Sequence, residues 1–322
     1  MNIDEGILTA IGHTPLVQLN KIFENQSMKL FAKLEFLNPG GSSKDRPALF
    51  MIREGIKSGE IQKDTTIIES SSGNLGISLA KICNYLGLKF ICVVDPKTTE
   101  LNLNILKAFN AIVEIVKKPE PNTGEFLPAR IDKVNELRKK LKNHFWPNQY
   151  ANPNNSKSHY VMTMNEIFMD LKHVDYMFCA VSSCGTIRGC VDFIRDHQLK
   201  TKVVAVDSIG SVIFKESTGQ RLIPGIGAGL VPALCPKESI HHIVHVSDLD
   251  CITGCRHLIQ EESILAGGSS GAVIAAVNKL KPIIPKDSTC VAIFPDRGDR
   301  YLETIYSDEW VKKQYGEVNY FW

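Results

Sequence analysis

Asn38-Pro39-Gly40-Gly41-Ser42-Ser43-Lys44-Asp45-Arg46 decides how the rest of the chain reads. The stretch is rich in turn formers, follows an apolar run at 30–36 and opens into a helix-like segment, so a lysine falls at a strand–helix junction. A lysine held near apolar walls and other cations can shed its proton and form an imine. A lone lysine in such a loop is ordinarily solvated beside an N-capping aspartate. Its meaning therefore rests on its company.

Outward from this loop, short β-rich runs alternate with longer helix-like stretches. Strand candidates fall at 30–36, 66–69, 89–95, 111–116, 176–181, 202–207, 241–246 and 289–294. Several are continuous apolar runs, as expected for strands buried on both faces of a parallel sheet. Helix candidates lie between them at 73–86, 130–141, 157–171, 249–262 and 270–279. The alternation predicts an α/β architecture, with a break in the Asn- and Pro-rich stretch at 148–155. Two open α/β sheets facing each other bind ligand between them, at the carboxyl ends of their strands.

The bulk properties fit a soluble two-domain enzyme. The chain has 322 residues, and its 37 Lys and Arg nearly balance 35 Asp and Glu. A net charge of +2 gives no electrostatic case for nucleic acid or an anionic membrane. The start, Met1-Asn2-Ile3-Asp4-Glu5, lacks the basic and apolar segments of a signal peptide, and apolar runs such as 90–94 are too short to span a bilayer. Nine cysteines, an odd number without a CxxC pair, read as reduced cytoplasmic thiols, not as a disulfide framework or a metal site. Cys251 and Cys255, one helical turn apart, are expected to pack. His241, His242 and His245 share a strand candidate and are expected to be structural.

Four further motifs accompany Lys44. Glu69-Ser70-Ser71-Ser72-Gly73-Asn74-Leu75-Gly76 follows a strand and opens a helix, where hydroxyls and backbone N–H groups form an anion-binding nest. Val181-Ser182-Ser183-Cys184-Gly185-Thr186 has the same setting and could cradle a phosphate, without the ending of a Walker loop. Leu265-Ala266-Gly267-Gly268-Ser269-Ser270-Gly271-Ala272 allows close backbone approach, with a serine able to meet a ring nitrogen. Pro224-Gly225-Ile226-Gly227-Ala228-Gly229 is too glycine-rich for a regular element. Each taken alone is also explained by an ordinary capped turn.

In this order, from His13-Thr14-Pro15-Leu16 to Phe294-Pro295-Asp296-Arg297-Gly298-Asp299-Arg300-Tyr301, the motifs resemble the cysteine synthase family of fold-type-II pyridoxal-phosphate enzymes. The resemblance implies a tryptophan synthase β-like fold of two open three-layer α/β domains, with pyridoxal 5'-phosphate in the cleft between them. Residues 47–152 would form the smaller domain; 1–46 plus 153–322 would form the larger. The resemblance makes Lys44 the Schiff-base lysine and catalytic base. Asn74 would hold the cofactor 3′-oxygen, Ser182, Ser183, Cys184, Gly185 and Thr186 its phosphate, and Ser269 would face the pyridine nitrogen. Ser71, Ser72 and Gln149 would take the substrate α-carboxylate. Such enzymes are cytoplasmic homodimers acting on small amino acids.

Two departures bear on the substrate. Leu75 stands where cysteine synthases usually carry threonine, and Ser182-Ser183-Cys184 replaces a loop beginning Gly-Thr-Gly. Within the family the chain most resembles the siderophore branch. Its members join O-phosphoserine and glutamate, through an α-aminoacrylate, into N-(2-amino-2-carboxyethyl)-L-glutamate on the way to 2,3-diaminopropionate. On that reading Arg221 could pair a phosphate leaving group, Arg130 a glutamate side-chain carboxylate, and Tyr150 could line the cleft. A surface arginine, a solvated helix face and simple packing are the respective plainer expectations. Cysteine synthesis, which uses the same cofactor residues, and an idle binding protein on the same fold are the competing functions.

Overall fold

A computed structural model describes residues 1–24, 28–121, 124–214 and 217–320. Its first half runs β1 (Leu16–Leu19), β2 (Lys29–Leu34), α1 (Asp45–Lys57), β3 (Thr66–Ser70), α2 (Asn74–Leu86), β4 (Lys89–Val94) and α3 (Glu100–Ala108). There follow β5 (Ile112–Ile115), α4 (Phe126–Lys140), β6 (His144–Phe145), α5 (Pro153–Ser158) and, after a π-helical turn at His159–Met164, α6 (Asn165–Leu171). The remainder is β7 (Tyr176–Ala180), α7 (Gly185–Asp196), β8 (Lys202–Ser208), β9 (His242–Val246), α8 (Asp248–Glu262), α9 (Gly268–Leu280), β10 (Thr289–Phe294) and α10 (Asp308–Tyr315).

These strands form two sheets. The larger has the order β1-β2-β10-β7-β8-β9 and is parallel except for β1. The smaller, β5-β4-β3-β6, is parallel throughout. Strand alternation explains why each sheet is covered on both faces. In the larger sheet, Phe178, Val204 and Ala292 pack with Ile252 and Ile274 of α8 and α9, while Met177, Val203 and Val291 pack with Ile187 and Val191 of α7 on the other side. In the smaller sheet, Ile67 and Phe90 meet α1 and α2, while Ile68 and Ile91 meet Val134 of α4. Each sheet is thus the middle of three layers, as the resemblance implied.

Two glycines let α8 and α9 touch. A Cβ on Gly254 would lie 2.1 Å from the Gly271 carbonyl oxygen, and one on Gly271 would lie 2.1 Å from that of Cys251. Cys251 and Cys255 are buried in this seam, so packing is their role here. Elsewhere the sequence reading needs correction. The strand expected at 30–36 stops at Leu34, because Glu35 turns into a 3₁₀ turn to pair with buried Arg46. Within the stretch 148–155, where a break was expected, residues 149–151 form a turn and α5 starts at Pro153, with the Asn152 side chain accepting from the Asn154 amide at 2.9 Å. Among the described residues, no helix is long and apolar enough to cross a membrane.

Candidate active site

The loop after β2 brings Lys44 to the N-cap of α1. Backbone bonds fix it to the loop after β10: Ser43 N–H donates to the Pro295 carbonyl at 2.7 Å, and Arg297 N–H to that of Gly41 at 3.2 Å. Lys44 Nζ lies 3.4 Å from Ser43 Oγ. Burial pushes the Lys44 amine down from the ordinary lysine range, against the pull of the Asp296 and Glu35 carboxylates. The amine opens on a pocket that is continuous with solvent and shared with Ser182, Ser183, Cys184, Gly185, Thr186 and Gly225.

That second loop leaves the carboxyl end of β7 and enters α7, whose first-turn N–H groups lack intrahelical partners. Cys184 caps the helix in the left-handed region at φ +64°. Gly185 admits no side chain, since a Cβ there would lie 2.0 Å from Asn155 Oδ1. Ser182 Oγ donates to the Gly227 carbonyl at 3.0 Å, tying the glycine-rich 224–229 turn to the loop. Asn155 Nδ2 donates to the Gln149 carbonyl at 2.7 Å and reaches Ser183 Oγ at 3.5 Å. One buried amide therefore joins two loops that the sequence reading treated separately.

Asn74 begins α2 and is held through its side chain. Its Nδ2 donates to Asp296 Oδ2 at 2.9 Å, and Arg300 donates to its Oδ1. Tyr301 Oη donates to the same Asp296 oxygen at 2.6 Å. Asp296 is 2 % exposed, and its Oδ1 has no hydrogen-bond partner among the described residues. Gly267 N–H donates to the Asp296 carbonyl at 2.9 Å, and the buried Ser269 follows in the first turn of α9. Asp296 thus links Lys44, Asn74 and the Ser269 turn, and the sequence reading assigned it no role. Its place directly after a parallel strand was the available signal.

The residues assigned to the substrate do not line the cavity at Lys44. Ser71 Oγ accepts the Gly76 N–H at 3.0 Å, which leaves its own hydroxyl hydrogen free. Ser72 is half-buried, and its carbonyl accepts from Asn102 at 3.1 Å. Beneath them, burial pushes the Glu69 carboxyl up to about 7, although Ser70 N–H at 2.8 Å and Trp146 Nε1 at 3.1 Å donate to it. Arg130 lies inside α4 and is 9 % exposed, which corrects the expectation of a solvated helix start. Its Nε faces Asp95 Oδ2 at 3.3 Å without hydrogen-bond alignment, and its Nη1 is buried without a partner among the described residues. Arg221 Nη1 is buried in the same condition. Burial pushes the Tyr150 phenol up; the Arg130 and Arg221 charges oppose this and Glu69 adds to it, so all three act on that hydroxyl.

His241 stays outside the cleft, its Nδ1 accepting the Val203 N–H at 3.1 Å. Among the described residues no three His, Cys, Asp or Glu side chains are grouped to hold a metal. A phosphorylated aromatic aldehyde needs a neutral amine, an anion cradle and room between them. The lowered Lys44 amine, the α7 N-terminus with its three hydroxyls and the shared cavity fit that group.

Comparison with known proteins agrees with this geometry. The family model described as "Pyridoxal-phosphate dependent enzyme" matches residues 7–296. An O-acetylserine dependent cystathionine beta-synthase from Helicobacter pylori is 33% identical over 95% of this chain and 100% of its own, with a TM-score of 0.87. A hydrogen sulfide-producing enzyme from Fusobacterium nucleatum is 34% identical over 92% of this chain and 99% of its own, at 0.86. An O-ureido-L-serine synthase is 26% identical over 98% of this chain and 97% of its own, at 0.88.

Proposed function

The chain belongs to the pyridoxal-phosphate dependent enzyme family, and from that premise we propose that its cleft performs β-replacement on O-phospho-L-serine with L-glutamate as nucleophile. The product is N-(2-amino-2-carboxyethyl)-L-glutamate, a precursor of 2,3-diaminopropionate for siderophore assembly. When bound, pyridoxal phosphate supplies the electron sink that lets a Cα proton and a β-substituent leave. Lys44, whose amine burial pushes toward the neutral form, would anchor the cofactor and then take the Cα proton on Nζ. The N–H groups and hydroxyls at 182–186 hold the phosphate. Asn74, with one Nδ2 hydrogen not used by Asp296, would hold the ring 3′-oxygen, and Ser269 would meet the ring nitrogen. Ser71, Ser72 and Gln149 orient the substrate carboxylate.

The observation that carries this reading is a pair of arginines, Arg130 buried and Arg221 half-buried, each with a buried Nη1. Among the described residues, Arg130 and Arg221 keep buried donors without partners, and both charges act on the Tyr150 hydroxyl. Sulfide needs no such groups. A dianionic leaving group and a nucleophile with two carboxylates do, because an unpaired buried donor is costly unless a ligand satisfies it. The same reading divides the chain into units at 47–152 and at 1–46 plus 153–322. The smaller sheet draws its strands from within the first and the larger sheet from the second, which supports that division. We take the enzyme to be a cytoplasmic homodimer with small-molecule partners.

Cysteine synthesis is the second reading, favoured by similarity to an O-acetyl serine sulfhydrylase from Entamoeba histolytica, 32% identical over 99% of this chain and 93% of its own, with a TM-score of 0.87. Offering O-phosphoserine with glutamate and sulfide together, and weighing the products by mass spectrometry, decides between them. The glutamate adduct is expected to dominate. Cysteine alone would overturn the proposal.

A further inference from the structure

On the reading above, in which residues 182–186 take the cofactor phosphate, one buried titratable group beside the site has no task. His159 is 1 % exposed, on the π-helical turn before α6. Its Nδ1 lies 2.9 Å from Thr163 Oγ1 and its Nε2 lies 3.2 Å from Thr186 Oγ1. Burial, with Lys44 and Arg46 as nearby cations, holds the imidazole well below its ordinary range. A neutral ring has one donor nitrogen and one acceptor nitrogen, and its neighbours decide which is which.

The two arrangements differ in what they leave unmade. With the hydrogen on Nδ1, the ring donates to Thr163, whose own hydroxyl hydrogen then meets no acceptor among the described residues, at a fully buried position. Thr186 must then give its hydrogen to Nε2, and it presents lone pairs to the cavity it lines. With the hydrogen on Nε2, Thr163 donates to Nδ1, Nε2 donates to Thr186, and every buried donor is used. The Thr186 hydroxyl hydrogen is then free to face an anion.

We propose that His159 is a positioning residue: as the Nε2–H tautomer it donates to Thr186 Oγ1 and turns the Thr186 hydroxyl hydrogen toward the cofactor phosphate, with Thr163 fixing the tautomer. Thr163 thereby governs phosphate affinity without belonging to the phosphate loop.

The test uses holoenzyme with ¹⁵N-labelled histidine and the ³¹P resonance of bound pyridoxal phosphate. His159 is expected to show a protonated Nε2 and a bare Nδ1. Thr163→Val is expected to weaken cofactor binding about five- to tenfold, the worth of one neutral hydrogen bond, and to move the ³¹P line. Thr163→Ser, which keeps the hydroxyl, is expected to restore both. A protonated Nδ1, an imidazolium, or a Thr163→Val enzyme with wild-type affinity and ³¹P position would overturn the relay. Thr186→Val separates this from the underlying reading. If it weakens binding while Thr163→Val does not, the relay alone is wrong. If it too leaves affinity and the ³¹P line unchanged, the phosphate assignment falls with it.

Discussion

Lys81 Nζ lies 2.5 Å from Asp45 Oδ2, and that same carboxylate oxygen accepts the Gly40 N–H at 2.5 Å. The pair is buried, at 6 % and 0 % side-chain exposure. Burial lowers the Lys81 pKa more than the carboxylate beside it raises it. One ion pair therefore clamps helix α2 to the loop that presents Lys44. Lys81→Met strands a buried carboxylate and is expected to cost about 3–5 kcal/mol, with weaker cofactor retention. Asp45→Asn/Lys81→Met should recover much of this, since the amide oxygen still accepts from Gly40. Thermal melts of both variants check it; a double variant no more stable than the single would show that the stranded charge is not the cause.

Glu69 gives a pH dependence whose sign is set by its raised pKa. The folded state binds this proton more tightly than the unfolded chain, whose carboxyl has the ordinary value of 4.5. Its contribution to stability is complete below about 4.5 and is lost as pH rises to about 7. Glu69→Gln keeps an oxygen for Ser70 N–H and Trp146 Nε1 and removes the titration. The variant is expected to be more stable than wild type at pH 8, by at most ~3 kcal/mol, and nearly equal near pH 4.5. Parallel melting curves across that range would rule the titration out.

What the sequence made legible follows from where information is local. Buried parallel strands such as 66–70 and 89–94 announce themselves as continuous apolar runs, and strand–loop–helix junctions mark Lys44, Ser71 and Ser182. β1 was missed because it is four residues of an edge strand, with its pattern cut short by Pro15. β6 was missed because two residues carry no periodicity. Asn155 and His159 were invisible as site residues for another reason. Each meets the 182–186 loop, Asn155 at Ser183 and His159 at Thr186, as Asn74 meets Asp296 still further along the chain, and no spacing rule encodes such a contact.

Lys44→Ala should leave the fold intact, since the loop is pinned by backbone bonds from Ser43 and Arg297 and not by the lysine side chain. Loss of the amine removes both the cofactor anchor and the base. Turnover is expected to fall by at least about 10²–10⁴-fold, the usual worth of a positioned base alone. The visible absorption of the holoenzyme should lose its sensitivity to borohydride. An unchanged spectrum with wild-type turnover would remove Lys44 from the mechanism.

The last expectation concerns the second substrate. Arg130 is held inside α4 by Asp95, and its Nη1 is buried without a partner among the described residues, so it is preorganised for a carboxylate. Tyr150 lies within reach of its charge. Neither is tied to Lys44 or to the loop at 182–186, so the first half-reaction should not need them. Arg130→Met is expected to raise the KM for glutamate about ten- to a hundredfold, as loss of a charge-assisted hydrogen bond predicts, while release of phosphate in a single turnover without nucleophile stays near wild type. Tyr150→Phe should act in the same direction by less, about five- to tenfold. Arg130→Lys keeps the charge without the bidentate fork and should fall between the wild type and Arg130→Met. The decisive comparison is between the two half-reactions. If Arg130→Met slows phosphate release as much as it slows glutamate addition, the arginine serves the first substrate or the fold, and the nucleophile pocket must be sought elsewhere along the cleft.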